Sequence, residues 1–221
     1  MSIDISIIEK GNNGPVIIWM MHPFEDGETE HLCNCIETLD PDMAYVLAIC
    51  NIDDWDGQLS PWSSRAVMGD TDFSGHGSET LKWLTERIIP DLRAQFPGRK
   101  IIIAGYSLAG LFALWAGYET AVFDGIVCCS GSLWFEGWEE YATSHALPKS
   151  CSVYLSLGGK ENKTSNPFMA TILDKTKLQE KLLKADPNAE HVTFELNSGG
   201  HFADSEKRLA KGIKWICTQL H

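Results

Sequence analysis

The sequence predicts an α/β fold, a doubly wound and mostly parallel sheet with helices on both faces. Short apolar runs alternate with longer helical patterns along the 221 residues. Most of these runs are apolar throughout, as in parallel strands that helices cover on both sides. Neither an internal repeat nor a linker is visible in the sequence, so we expect a single domain over 1–221.

Seven segments are predicted strands. The first, 3–8, alternates apolar and polar residues, and the turn 11–14 (GNNG) then leads into an apolar run. This pattern predicts an antiparallel N-terminal edge hairpin that leads into a buried strand. The buried strands are expected at 16–21, 45–50, 101–104, 125–129, 153–157 and 192–196.

Helical patterns fill the intervals between these strands. In 79–96 apolar residues recur at steps of three and four, and Pro90 predicts a kink or a break in the last turns. Residues 108–117 are apolar nearly all round, which predicts a helix buried at the centre of the domain. Further helices are expected near 170–185 and at the C-terminus, where the apolar residues are Leu209, Ile213, Ile216 and Leu220.

Composition narrows the function classes. The net charge of −12 is spread along the chain, which disfavours nucleic acid and anionic membranes as partners. The N-terminus shows neither a signal peptide nor a transmembrane span, and the odd count of seven cysteines lies mostly in apolar runs. These features predict a cytoplasmic protein with reduced thiols. We expect no cofactor, and the sequence leaves the oligomeric state open.

Residues 105–110 (GYSLAG) follow an apolar strand and lead directly into the buried helix. A strained strand-to-helix turn of this kind exposes a serine hydroxyl, so Ser107 is the candidate nucleophile. The backbone N–H of Leu108 then points at a developing oxyanion. Ala109 replaces the second glycine of the G-x-S-x-G pattern. A serine that only caps the helix is the structural alternative.

A serine nucleophile needs a base and an orienting acid. His201, in 197–202 (NSGGHF), follows the last predicted strand and is the candidate base. Glu161, after the strand 153–157, is the first candidate for the acid, and Asp204 is the alternative. An acidic residue at the position of Asp204 is more often a stabiliser of a helix N-terminus.

The first buried strand ends at His22, before Pro23 and Phe24. In enzymes with such a serine turn, a loop after an earlier strand supplies the second N–H to the oxyanion. Pro23 has no N–H, so this second donor is expected at Phe24 or a later neighbour, with His22 shaping the loop. The segment 51–77 is too long for an ordinary connection. Its tryptophans, Trp55 and Trp62, favour an ordered loop that forms part of the site.

Four motifs together resemble a known family. They are 54–62 (DWDGQLSPW), 104–112 (AGYSLAGLF), 130–134 (SGSLW) and the pair Gly200-His201, in that order. This set resembles the esterase branch of the α/β-hydrolases, which is similar to enterochelin-type trilactone esterases, feruloyl esterases and S-formylglutathione hydrolases. The resemblance covers roughly 15–220. It implies an α/β-hydrolase fold, a nucleophile at Ser107, a base at His201 and an acid in the loop that holds Glu161.

The expected activity is hydrolysis of a small-molecule carboxylic ester by a serine esterase. Trp55, Trp62 and Trp134 are expected either to wall the substrate pocket or to support the long loops from the core, and 131–148 is the only candidate for a small lid. A thioesterase or a peptidase on the same scaffold is an alternative, and so is an inactive homologue that only binds a small molecule. A metal site at Asp53, Asp54, Asp56 and His22 is disfavoured, because Asp-rich turns beside glycine are usually only turns.

Overall fold

The structure is a computed structural model that describes residues 3–22, 27–67 and 69–220. A seven-stranded sheet has the order β1-β3-β2-β6-β7-β8-β9, and every neighbouring pair is parallel except β1 and β3. The mostly parallel α/β fold is therefore confirmed. The strands are β1 (Asp4–Lys10), β2 (Val16–Met21), β3 (Tyr45–Asn51), β6 (Ile101–Tyr106), β7 (Gly125–Cys129), β8 (Cys151–Gly158) and β9 (Ala189–Asn197), with a separate two-stranded ribbon of β4 (Ser63–Ser64) and β5 (Phe73–Ser74).

Helices cover both faces of the sheet. In β2, Ile17 and Trp19 pack with the helices over 28–39 and 205–219, whereas Val16 and Ile18 belong to the cluster that includes the helices over 108–119 and 172–185. The period of two along a strand directs alternate side chains to the two layers. The helices are α1 (Glu28–Leu39), α2 (Trp55–Gln58), α3 (Gly77–Trp83), α4 (Ile89–Gln95), α5 (Leu108–Glu119), α6 (Trp138–Ser144), α7 (Ile172–Ala185) and α8 (Ser205–Gln219).

The N-terminal strand is antiparallel and lies at the edge of the sheet, as expected. Its partner is β3, with Ile5 opposite Cys50 and Glu9 opposite Val46, because β3 lies between β1 and β2. The turn at Gly11 therefore carries the chain across β3 instead of closing a hairpin between adjacent strands. Local alternation shows that a strand forms, but its partner residues are distant in the chain, from Tyr45 opposite Lys10 to Asn51 opposite Asp4.

Pro90 does not end its helix. A π-helical turn over Leu84–Ile88 joins α3 to α4, and Pro90 lies at the start of α4 directly after it. Proline lacks an N–H, and its ring crowds the carbonyl four residues earlier. The wider π turn gives that ring room, so the helical path continues to Gln95.

The turn between β6 and α5 carries Ser107 in a strained backbone conformation, with φ 58° and ψ −123°. Strand and helix come so close here that a Cβ on Gly105 would lie 2.1 Å from the Ala109 carbonyl oxygen. Gly105 is therefore needed for the turn to form. Ala109 is fully buried and its own side chain is accommodated, which explains how alanine replaces the second glycine of the pattern.

No helix among the described residues is long and apolar enough to cross a membrane. The seven cysteines all fall within the described ranges, and each is a free thiol.

Replacing Gly105 with alanine is expected to destabilise the protein by about 1–3 kcal/mol, because the added methyl group overlaps the Ala109 carbonyl. Urea unfolding followed by circular dichroism measures the change. Gly200→Ala is the matched control, because a Cβ there has no atom within 4 Å. A Gly105→Ala protein as stable as the wild type would contradict the close approach of β6 and α5.

Candidate active site

Three side chains form a continuous hydrogen-bonded relay at the carboxyl end of the parallel strands. His201 Nε2 lies 3.0 Å from Ser107 Oγ, and His201 Nδ1 lies 2.8 Å from Glu161 Oε2. Ser107 follows β6, Glu161 lies in the turn after β8, and His201 lies in the loop after β9. Parallel strands end at the same edge of the sheet, so residues far apart in the chain meet there.

The carboxylate of Glu161 is buried, and donors surround its second oxygen. Oε1 accepts hydrogen bonds from Ser130 Oγ at 2.7 Å and from the Gly158 N–H at 2.6 Å. Burial by itself would raise the pKa of Glu161, but hydrogen bonds from His201, Ser130 and Gly158 and the charge of His201 outweigh it and hold that pKa below its usual value. Glu161 is therefore a carboxylate that can orient His201 and balance a positive charge on its ring.

Asp204, the alternative acid, occupies a different place. It precedes α8 in a left-handed backbone conformation, φ 54°, and its side chain makes no capping hydrogen bond. The hydrogen bond to His201 Nδ1 comes from Glu161 instead.

Arg208 and Ser130 both contact Glu161, and neither was a predicted site residue. Arg208 Nη1 lies 3.1 Å from Glu161 Oε1, and the arginine side chain is 1% exposed. The sequence did carry a signal: Arg208 precedes Gly212 and Ile216 at steps of four, so a charged residue occupies the buried face of α8. Ser130 begins the motif 130–134, but the motif does not reveal its role, which depends on a positive φ of 46° directly after β7.

Of the two expected oxyanion donors, Leu108 lies within the described residues. Leu108 is the first residue of α5, where backbone N–H groups have no acceptor within the helix. Its position after Ser107 suits the predicted role. Phe24 lies outside the described residues.

A cleft of about 880 Å³ opens over Ser107 and His201. His22 and Trp55 line it, with ring centroids 5.6 Å apart, so the structure places both beside the relay. Phe202, which is 91% exposed, lies at the same cleft with its ring edge-on to His201. The walls also include Trp19, Met20, Met21, Glu28, His31, Asp56, Tyr106, Asp204, Ser205, Glu206 and Leu209.

Trp62 and Trp134 are not among the residues that line this cleft. Trp62 donates its Nε1–H to the Glu136 carbonyl and packs against Phe135, and Trp134 lies beside a separate cavity of about 740 Å³. Of the two expectations for these rings, their contacts favour support of the connection around 131–148 over a place in the pocket wall. That segment, proposed as a lid, also contributes no residue to the cleft wall, and its helix α6 packs on α7.

The Asp-rich turn has a structural role. Asp54 Oδ1 accepts the Gly57 N–H at 3.0 Å and so caps α2, the helix that presents Trp55 to the cleft. Within the described ranges, no group of three His, Cys, Asp or Glu side chains is arranged to hold a metal ion.

Comparison with known proteins decides the family. Residues 51–215, which include Ser107, Glu161 and His201, match the family model described as "Putative esterase". The chain belongs to the Esterase family. A relative with the name "Uncharacterized protein YbbA", from Bacillus subtilis (strain 168), is 26% identical over 170 residues, covering 72% of this chain and 68% of its own.

Solved structures of other esterases share the fold. The IroE-like serine hydrolase from Shewanella oneidensis superposes with a TM-score of 0.80 at 13% identity, covering 99% of this chain and 77% of that one. The enterobactin esterase FES from Shigella flexneri superposes with a TM-score of 0.72 at 17% identity, covering 99% of this chain and 56% of that one. This member of the Esterase family therefore has the α/β-hydrolase fold and is a carboxylic ester hydrolase, as the sequence motifs predicted.

Truncating Trp55 to alanine is expected to raise the KM for a bulky aryl ester about tenfold, the equivalent of about 1.4 kcal/mol of lost contact. Steady-state kinetics measure it. Trp62→Ala is the matched control, because Trp62 lies away from the cleft and its loss should lower the melting temperature with little change in KM. Equal KM changes in the two variants would contradict this boundary of the cleft.

Proposed function

We propose that the chain is a serine esterase that cleaves its substrate through an acyl-enzyme on Ser107, with His201 as the base and Glu161 as the acid. The observation that carries this proposal is the relay itself, with 3.0 Å between Ser107 and His201 and 2.8 Å between His201 and Glu161. Both distances lie in the range that proton transfer between a nucleophile and its base requires.

The reaction proceeds in two steps. His201 Nε2 takes the Ser107 hydroxyl proton while Oγ attacks the ester carbonyl, and the same proton then passes to the departing alkoxide oxygen. Water, activated by His201, attacks the acyl-enzyme, and the acid product leaves as the proton returns to Ser107. Glu161 balances the positive charge that His201 carries in each step, and the Leu108 N–H donates to the oxyanion.

The two alternatives drawn from the sequence are less well supported, because the chain belongs to the Esterase family. A thioesterase or a peptidase uses the same acyl-enzyme steps, so a panel of matched esters, thioesters and amides separates those classes. For an inactive binding protein, the aligned relay would serve no purpose, which favours catalysis over binding alone.

The charge of the cleft supports a preference among substrates. Four carboxylates line it, and no Lys or Arg side chain does so within the described part of the chain; the four are Glu28, Asp56, Asp204 and Glu206. We therefore propose that neutral and cationic esters are hydrolysed faster than anionic ones.

Replacing Ser107 with alanine should abolish turnover of a small activated ester and labelling by a fluorophosphonate, because the nucleophilic oxygen is lost. Intact-mass spectrometry and peptide mapping locate the adduct in the wild type. Ser78→Ala, at an exposed serine on α3, is the control and should be labelled normally. Turnover retained by Ser107→Ala would refute the proposed function.

A set of esters that differ only in a terminal trimethylammonium, tert-butyl or carboxylate group tests the charge preference. We expect kcat/KM for the cationic ester to exceed that for the anionic ester by about tenfold at low salt, and the ratio to shrink as salt is added. Asp56→Asn with Glu206→Gln should reduce the ratio. The exposed acids Asp42 and Glu86, changed to Asn and Gln, are the control pair for net charge. A ratio near one, or an equal loss in the control pair, would contradict selection by the cleft.

A further inference from the structure

Arg208 occupies a place where neither the helix nor the core favours a cation. It lies in the first turn of α8, at the end of the helix that carries positive partial charge. Its side chain is 1% exposed, and its Nε has no hydrogen-bond partner among the described residues. A buried guanidinium with an unpaired N–H adds little to stability. The position of Arg208 is better explained by the groups to which its two Nη atoms donate hydrogen bonds.

These two atoms connect the loop of the acid with the loop of the base. Nη1 lies 3.1 Å from Glu161 Oε1, on the carboxylate oxygen that His201 does not use. Nη2 donates to the carbonyls of Ser198 at 3.0 Å and Gly200 at 2.9 Å, in the loop that leads to His201. One planar guanidinium group therefore fixes both loops at a set spacing.

The neighbouring residues make room for this arrangement. A Cβ on Gly158 would lie 2.8 Å from both Arg208 Nη2 and Glu161 Oε1, so glycine lets the guanidinium reach the carboxylate. Arg208 Nη1 also donates to the Tyr106 hydroxyl at 2.9 Å, and that hydroxyl donates to the His201 carbonyl at 2.5 Å. Tyr106 directly precedes Ser107, so the network touches the loop or strand of every member of the relay.

We propose that Arg208 is a positioning residue of the esterase reaction, which holds Glu161 ionised and keeps the loop of His201 aligned with Ser107. This inference rests on the proposed function. Arg208 contacts no reacting atom: it acts through the carboxylate and the loop carbonyls. The positive charge of the guanidinium favours the ionised Glu161, and its forked geometry holds the two loops together. The two contributions can therefore be tested separately.

Few other titratable groups face this cluster. Burial raises the pKa of Tyr106 and that of Cys129 to about 12, so neither group changes charge near neutral pH. Glu195, on the neighbouring strand β9, is paired with Lys211. Glu161, 3.1 Å from Arg208 Nη1, is therefore the ionisable group that the guanidinium contacts directly.

Arg208→Gln removes the charge and tests the first contribution. We expect kcat to fall about 100-fold, because small misplacements of the relay are costly, while KM changes less than about threefold. Without the cation the Glu161 carboxylate, which lies 3.1 Å from Arg208 Nη1, is harder to ionise. A protonated Glu161 no longer balances the charge of the His201 ring, so the acidic limb of the kcat profile moves to higher pH, by about 1 pH unit.

Arg208→Lys keeps the charge and loses the fork. Its acidic limb should stay with that of the wild type, whereas kcat falls about tenfold because one ammonium cannot hold both loops. Arg99→Gln is the matched control, since Arg99 is also a poorly exposed arginine, paired with Glu9 at 2.7 Å near the opposite end of β6. It should leave both kcat and the pH profile unchanged.

Circular dichroism and thermal melts establish that each variant is folded. A purely structural role predicts a lower melting temperature with an unmoved acidic limb, and no advantage of lysine over glutamine. That result, or wild-type kinetics in Arg208→Gln, would overturn the proposal. If Arg208→Gln does not fold, an undiminished kcat in Arg208→Lys would overturn it as well. Failure of the proposed function is distinct, because it appears as turnover that survives Ser107→Ala.

Discussion

The close contact between β6 and α5 is the constraint on which the rest of the site depends. The chain must reverse within one residue, so Ser107 adopts φ 58° and ψ −123°, a strain of about 1–3 kcal/mol. The burial of α5 on all sides offsets this cost, since eleven of its twelve residues are buried. Because Gly105 leaves no side chain between strand and helix, the Ser107 hydroxyl is held above the carboxyl edge of the sheet.

Around this fixed hydroxyl, the relay is organised by a buried carboxylate that is fully provided with donors. An unpaired buried charge would cost several kcal/mol, so the turn after β8 and the end of β7 are shaped to supply N–H and O–H groups to Glu161. Ser130 accepts a left-handed backbone, φ 46°, to place its hydroxyl 2.7 Å from Oε1. The need to supply donors to the buried Glu161 carboxylate thus stabilises a backbone conformation at Ser130 that a non-glycine residue rarely adopts.

The cleft is assembled from segments that are distant in sequence, and a different element of the fold positions each of them. The end of β2 supplies His22, α2 supplies Trp55, and the start of α8 supplies Glu206. The long connection after β3 contributes through α2, where the cap provided by Asp54 sets the direction of Trp55. Trp62, later in the same connection, donates its Nε1–H to the Glu136 carbonyl. The two tryptophans of this connection therefore differ in role: Trp55 lines the cleft, whereas Trp62 packs against the connection around 131–148.

By itself, the sequence determined the α/β class and most strands and helices, because hydrophobic period and the turn around Ser107 are local properties. Its four motifs also carried the resemblance to the esterase family. It also ranked Glu161 above Asp204, although only the folded chain decides which carboxylate reaches His201. The partner of β1, the π turn before Pro90, the separation of Trp55 from Trp62 and the contacts of Arg208 were decided by tertiary structure. Each depends on distances between segments far apart in the chain, and such distances exist only after the sheet and its helices have packed.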